Sequence, residues 1–186
     1  MSRGRWFVIG AVLVAAAALI ISRLDLGEAI KEVTLPLRHD DIIRQQAEDK
    51  GLDPALIAAV IYAESRFREG QTSEADARGL MQVTPDTAQA IADESGGTAF
   101  TVEDLADPQI NISYGSFHLR DLLTQYDGNL VAALAAYNAG SGQVDEWGGA
   151  ALQLGDIEFP ETRAYVEQVL EKRQQYRDNY ADELGL

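Results

Sequence analysis

Glu64 shares a helical face with apolar residues. It lies four residues after Val60, seven after Ile57 and three before Phe67, spacings that gather side chains onto one side of a 3.6-residue helix. An ionised carboxylate is costly to bury without a partner. Apolar surroundings raise its pKa and keep it protonated near neutrality. That is the state needed to protonate a leaving-group oxygen. A Glu at the margin of the stripe, with its head in solvent or paired with Arg66 or Arg68, would have the same spacing. Spacing alone leaves both readings open.

Further residues decide between them. Gly79-Leu80-Met81-Gln82 precedes a helix start at Thr84-Pro85, Ala136-Tyr137-Asn138-Ala139-Gly140 closes a helix, and Glu161-Thr162-Arg163-Ala164-Tyr165-Val166 opens the last one. Taken singly, Gly79 reads as a turn, Met81 as core, Tyr137 as a packed tyrosine and Asn138-Ala139-Gly140 as a helix stop. Together with Glu64-Ser65-x-Phe67, Ser73 downstream, and Asn111-Ile112 with Gly115, their order and spacing resemble the soluble-lytic-transglycosylase (SLT) domain, a family 23 glycosidase. The resemblance runs from Leu52-Asp53-Pro54-Ala55-Leu56 to about Tyr176. One departure is Thr84, where some members carry a second Met in the groove.

The resemblance implies a lysozyme-like helical domain with little or no sheet, and Glu64 as its single catalytic acid/base. It implies that Ser73, Met81 and Gln82 line the groove beside the scissile bond, that Tyr137 reaches toward Glu64 and the bound sugar, and that Asn138 helps to fix that loop. Ser65, Gly79, Glu161 and Tyr165 would support the site. No cofactor and no metal are implied. The substrate would be peptidoglycan glycan strands, cut between N-acetylmuramic acid and N-acetylglucosamine without water to leave a 1,6-anhydro end. Retaining glycosidases use two carboxyls about 5 Å apart, and only Glu161 is singled out as a second acid. The alternatives are a muramidase on the same fold, with water as acceptor, and a non-catalytic wall-binding scaffold.

The elements that must hold these residues read as capped helices. Asp53-Pro54, Thr84-Pro85 and Asp107-Pro108 each set an oxygen acceptor at the N-cap and Pro at the first helical position. Phe159-Pro160-Glu161 adds an acid in a first turn. Gly51, Gly70, Gly96-Gly97, Gly128 and Gly140 mark stops. Apolar periodicity between these signals predicts helices over 39–50, 53–68, 85–95, 108–126, 129–139 and 160–180. No alternating run predicts a strand, so the expectation is a mainly α domain over 38–180, with 181–186 as a tail.

Residues Trp6 to Ile21 are uninterrupted apolar or small, behind Arg3 and Arg5 and ahead of Ser22-Arg23. Bulky Leu19-Ile20-Ile21 stands where a cleavage site wants small residues. The expectation is an uncleaved transmembrane anchor over 1–23 and a linker over 24–37. The basic tip is cytoplasmic by the positive-inside rule, and the domain lies outside in the cell-wall space. The chain of 186 residues is 46% hydrophobic, has no Cys, and carries a formal charge of -15. This excludes disulfides, a thiolate nucleophile and an acylated-Cys anchor. Such acidity disfavours nucleic acid as a partner. With His39 and His118 as the sole histidines, nothing suggests a metal site. The sequence names no protein partner.

Overall fold

A computed structural model describes residues 31–95 and 100–186. Residues 37–186 form one compact unit, helical throughout its regular elements. The helices are α1 (Asp40–Lys50), α2 (Pro54–Ser65), α3 (Pro85–Ser95), α4 (Pro108–Gln125), α5 (Leu130–Ala139), α6 (Ser141–Trp147), α7 (Pro160–Asn179) and α8 (Ala181–Leu184). Short 3-10 turns occupy Val102–Ala106, Gly149–Ala151 and Leu154–Asp156. The extended pairing among the described residues is limited to isolated antiparallel bridges, Thr72 with Arg78 and Arg78 with Val83. The mainly α expectation therefore holds for these residues.

The helices start where chemistry satisfies their first N–H groups. Asp53 accepts from the Ala55 N–H at 3.0 Å, Thr84 from Thr87 at 3.2 Å, Asp107 from Gln109 and Ile110, and Asn129 from Val131 and Ala132. Each replaces water at an end that has no intrahelical partner.

Helix α2 is the centre of the domain. Every residue from Ala55 to Tyr62 is buried, so it is apolar all round, as a helix enclosed by others must be. Its most extensive neighbour is α7. The two are tied at the start of α2, where Asp53 Oδ2 accepts from Arg173 Nε at 2.5 Å and Arg177 Nη1 at 2.7 Å. Tyr176 lies fully buried between Tyr62 and Phe67, with ring centroids 6.5 and 6.2 Å away.

Two boundaries differ from expectation. Helix α2 ends at Ser65, short of the expected range 53–68, because Arg66 (φ 53°) and Phe67 (φ 58°) are both left-handed. The chain turns there and drives Phe67 into the core, where it is 1% exposed. Phe67 is thus buried by a sharp turn and not by helical continuation. Residues 181–186, expected as a tail, include α8, whose Leu184 is 1% exposed, and the Glu183 carbonyl accepts from Arg44 of α1. Among the described residues no helix is long and apolar enough to cross a membrane. The apolar stretch expected to do so lies outside the described residues.

Candidate active site

Glu64 is the penultimate residue of α2. It is mounted at the end of the most enclosed helix, where the apolar core meets the surface. Ser65 beside it is buried and donates its hydroxyl hydrogen to the Ile61 carbonyl at 3.1 Å, which fixes the last turn. Tyr165, in the second turn of α7, donates its phenol hydrogen to Glu64 Oε1 at 2.7 Å. Burial pushes the Glu64 carboxyl up to about 7, against the opposing pull of the Tyr165 hydrogen bond. A carboxyl so poised is about half protonated near neutral pH, so it can both give and take a proton.

Two phenols face this carboxyl. Burial, and then the charge of Glu64, hold both Tyr137 and Tyr165 well above the ordinary tyrosine range. Both stay neutral and act as hydrogen-bonding groups. Tyr137, near the end of α5, donates to the Met81 carbonyl at 2.9 Å. The His118 ring of α4 lies 5.2 Å from that of Tyr137, tilted by 46°. Burial lowers the His118 pKa while Asp121 opposes, so the imidazole is neutral at pH 7.

The segment between α2 and α3 folds back on itself to form one wall. Ser73 opens a turn in which its N–H bonds the Ala77 carbonyl at 2.9 Å and its hydroxyl accepts from the Ala77 N–H at 3.1 Å. Arg78 and Val83 exchange N–H···O bonds at 3.0 Å each. Gln82, left-handed at φ 47°, donates to the Gly79 carbonyl at 2.9 Å and the Gln71 carbonyl at 3.3 Å. Asn111 of α4, buried at 1% exposure, holds this wall to the body of the domain.

The expected site residues therefore fall into three groups. Glu64, Tyr165 and Tyr137 come together with the Met81 backbone. Ser73 and Gln82 lie on the loop, with their hydrogen bonds made inside it, and the exposed Asn138 accepts from Thr162 Oγ1 at 2.9 Å. Met81 and Glu161 are placed differently from what was expected. The Met81 side chain is fully buried, seated against Gly115 and Ser116, so it is part of the core. Glu161 is exposed in the first turn of α7. The supporting part falls to its neighbour Thr162, 1% exposed and bonded to Asn138. Two residues outside the expected set complete the constellation, Asn111 and Thr162. Both are polar residues on the inner face of a helix, a signal present in the sequence. Among the described residues no group of three His, Asp or Glu side chains could hold a metal ion.

Residues 41–159 match the Transglycosylase SLT domain. The soluble lytic murein transglycosylase of Escherichia coli is 31% identical over 154 residues, covering 78% of this chain and 24% of that protein. Membrane-bound lytic murein transglycosylase C of Haemophilus influenzae is 33% identical over 141 residues, covering 66% of this chain and 40% of that protein. Among solved structures, an inactive Glu-to-Gln mutant of lytic transglycosylase Slt from Pseudomonas aeruginosa superposes with a TM-score of 0.74 at 32% identity, covering 80% of this chain and 25% of that one. The chain spans about a quarter of the length of the soluble relatives it matches.

Proposed function

The chain belongs to the transglycosylase SLT domain family, and from that premise we propose that it is a peptidoglycan lytic transglycosylase with Glu64 as acid and then base. The observation that carries the reading is the Glu64 carboxyl itself, pushed up to about 7 by burial and hydrogen-bonded by the Tyr165 phenol. Its protonated form gives its hydrogen to the oxygen between N-acetylmuramic acid and N-acetylglucosamine. The C1–O bond breaks, and an oxocarbenium-like centre forms with help from the substrate's own N-acetyl group. Glu64, now a carboxylate steadied by the Tyr165 hydrogen bond, takes the proton from the muramic acid C6 hydroxyl. That oxygen closes on C1, leaving a 1,6-anhydro sugar and a regenerated acid. One carboxyl serves both steps, so the paired carboxyls of a standard glycosidase are not required. The inactivity of a Glu-to-Gln mutant in a solved relative accords with this.

Tyr137, Gln82, Ser73 and Asn138 are proposed to flank the bound glycan, with Tyr165, Ser65, Gly79 and Thr162 as supports. We further propose that residues 1–23 anchor the protein in the cytoplasmic membrane, with the domain on the cell-wall side. The unbroken apolar run from Trp6 to Ile21 with Arg3, Arg5 and Arg23 around it supports this.

Incubating the full chain in detergent with purified peptidoglycan, with Glu64→Gln alongside, tests the reading by mass spectrometry of the released fragments. Anhydro-muramic ends, one water lighter than hydrolysis products and missing from the mutant digest, are the expected result. Reducing ends would move the protein to the muramidases. No fragments from folded protein would leave a glycan-binding scaffold.

A further inference from the structure

One amide on α4 satisfies three backbone groups at once, two of them buried. Asn111 Oδ1 accepts from the Met81 N–H at 2.8 Å, and Nδ2 donates to the carbonyls of Arg78 at 2.8 Å and Leu105 at 3.0 Å. A carboxamide is the group suited to this, since it offers an acceptor and two donors from one planar head. A carboxylate has no donor, and a hydroxyl cannot reach three partners. Gly79, at φ 76°, lets the loop backbone lie directly on that amide, and a Cβ there would overlap Asn111 Nδ2. Gly115 does the same one helical turn on, where a Cβ would come within 2.6 Å of Met81 Cβ and Sδ.

Met81 is therefore fixed from two sides, by Asn111 at its N–H and by the Gly115 and Ser116 seat at its thioether. Its carbonyl is the acceptor that Tyr137 uses at 2.9 Å. Tyr137 in turn stands near enough to Glu64 to feel its charge. A chain of contacts thus runs from Asn111 through Met81 to Tyr137 and the acid. We propose that Asn111 is a positioning residue for the reaction, fixing the Met81 carbonyl and through it the Tyr137 phenol beside Glu64, without touching substrate. The proposal rests on the lytic transglycosylase reading. An Asn that merely held the loop together would affect the melting temperature and leave the turnover of folded protein unchanged.

The test uses the full chain with purified peptidoglycan, and compares kcat and KM for Asn111→Ala, Tyr137→Phe and the double variant, alongside thermal melts. Displacing a positioned group by about 1 Å can slow a reaction up to roughly 100-fold, so Asn111→Ala is expected to lower kcat by roughly 10- to 100-fold with a smaller change in KM. The double variant is expected to be no more than about twofold slower than the slower single, because both changes break one contact chain. Asn111→Asp adds a readout that loop packing alone does not supply. Its carboxylate would face the Arg78 and Leu105 carbonyls, and protonation would restore one donor. Its activity is therefore expected to recover toward acid pH relative to wild type, and this profile decides the matter where Asn111→Ala does not fold. Multiplicative effects in the double variant, or wild-type kcat in folded Asn111→Ala, or a wild-type pH profile in Asn111→Asp, would overturn the proposal. Wild-type protein that releases no anhydro ends would instead sink the underlying reading, which keeps the two failures apart.

Discussion

Tyr165 and Glu64, 101 residues apart in the chain, meet through one hydrogen bond of 2.7 Å. The bond joins the second turn of α7 to the last turn of α2 and runs from a neutral phenol to a carboxyl whose pKa burial has raised to about 7. It opposes that rise, so it stabilises the carboxylate more than the acid. Its largest effect falls on the second half of the proposed cycle, when Glu64 is charged.

Replacing Tyr165 by Phe removes the bond and keeps the ring. A hydrogen bond to a charged group contributes about 1.5–3 kcal/mol, so activity is expected to fall roughly 10- to 100-fold. The Glu64 pKa is expected to rise further, which moves the alkaline limb of the kcat/KM profile to higher pH. An unmoved limb in a folded, slower variant would show that Tyr165 does not act on the acid.

The pH dependence of stability has a definite sign. Glu64 is raised in the folded state, from 4.5 to about 7, so the folded protein binds more protons than the unfolded chain between those values. Stability contributed at this site is full below about 4.5 and declines as pH climbs to about 7. The loss is up to about 3 kcal/mol, taking 1.36 kcal/mol per unit. Glu64→Gln removes the liability. Its melting temperature should exceed wild type at pH 8 and converge on it at pH 4.5. Equal melting curves at both pH values would contradict burial of this carboxyl.

Catalysis should follow the same group. With Glu64 as the acid, kcat/KM is expected to fall about tenfold per pH unit above roughly 7, measured as release of anhydro ends across pH 5–9. A plateau extending past pH 9 would mean that another group donates the proton.

Asp53 caps α2 and holds Arg173 and Arg177, with its own side chain 14% exposed. Loss of an N-cap costs about 1 kcal/mol, and the part-exposed arginines add little more, screened as they are. Asp53→Ala is expected to destabilise by about 1–2 kcal/mol in urea titrations while leaving the Glu64 pH limb in place. A shifted limb would mean that this end of the helix pair governs the acid.

Gly115→Ala should crowd Met81, since its Cβ would sit 2.6 Å from Met81 Cβ and Sδ. Overpacking of this kind costs about 1–3 kcal/mol. Adding Met81→Ala to Gly115→Ala should recover part of that loss against Met81→Ala alone, a double-mutant coupling readable in melts. Strict additivity would show that the two residues do not press on each other.

The helix starts were legible because they are local. Asp53-Pro54, Thr84-Pro85, Asp107-Pro108 and Phe159-Pro160 open helices at Pro54, Pro85, Pro108 and Pro160 as expected, since a cap and its helix lie within four residues. The early stop of α2 was not legible. Arg66 and Phe67 are ordinary in a helix, and their left-handed turn is enforced by the place the core holds for Phe67 against Tyr176. Helix α6 was not legible either, because it is seven residues long, contains Gly142 and is bounded by Gly140 and Gly148. At the site, the periodicity around Glu64 left a buried carboxyl and a solvent-facing one equally open, and it is the packed fold that raises its pKa by burial. The inward turn of Met81 depends on the missing side chain of Gly115, and the exposure of Glu161 on how α7 meets α5 through Thr162 and Asn138. Those relationships span tens of residues, and periodicity carries none of them.

Helices α2 and α7 are joined at opposite ends, by Asp53 with Arg173 and Arg177 at one and by Glu64 with Tyr165 at the other. In an engineer's terms this is a beam pinned at two points. Sliding α7 along α2 by one turn, about 5.4 Å, would have to unfasten both pins together. The tool tip is therefore carried at one of the two pinned points. For the proposed reaction, both pins hold the Glu64 carboxyl and the Tyr165 phenol in one register from one turnover to the next.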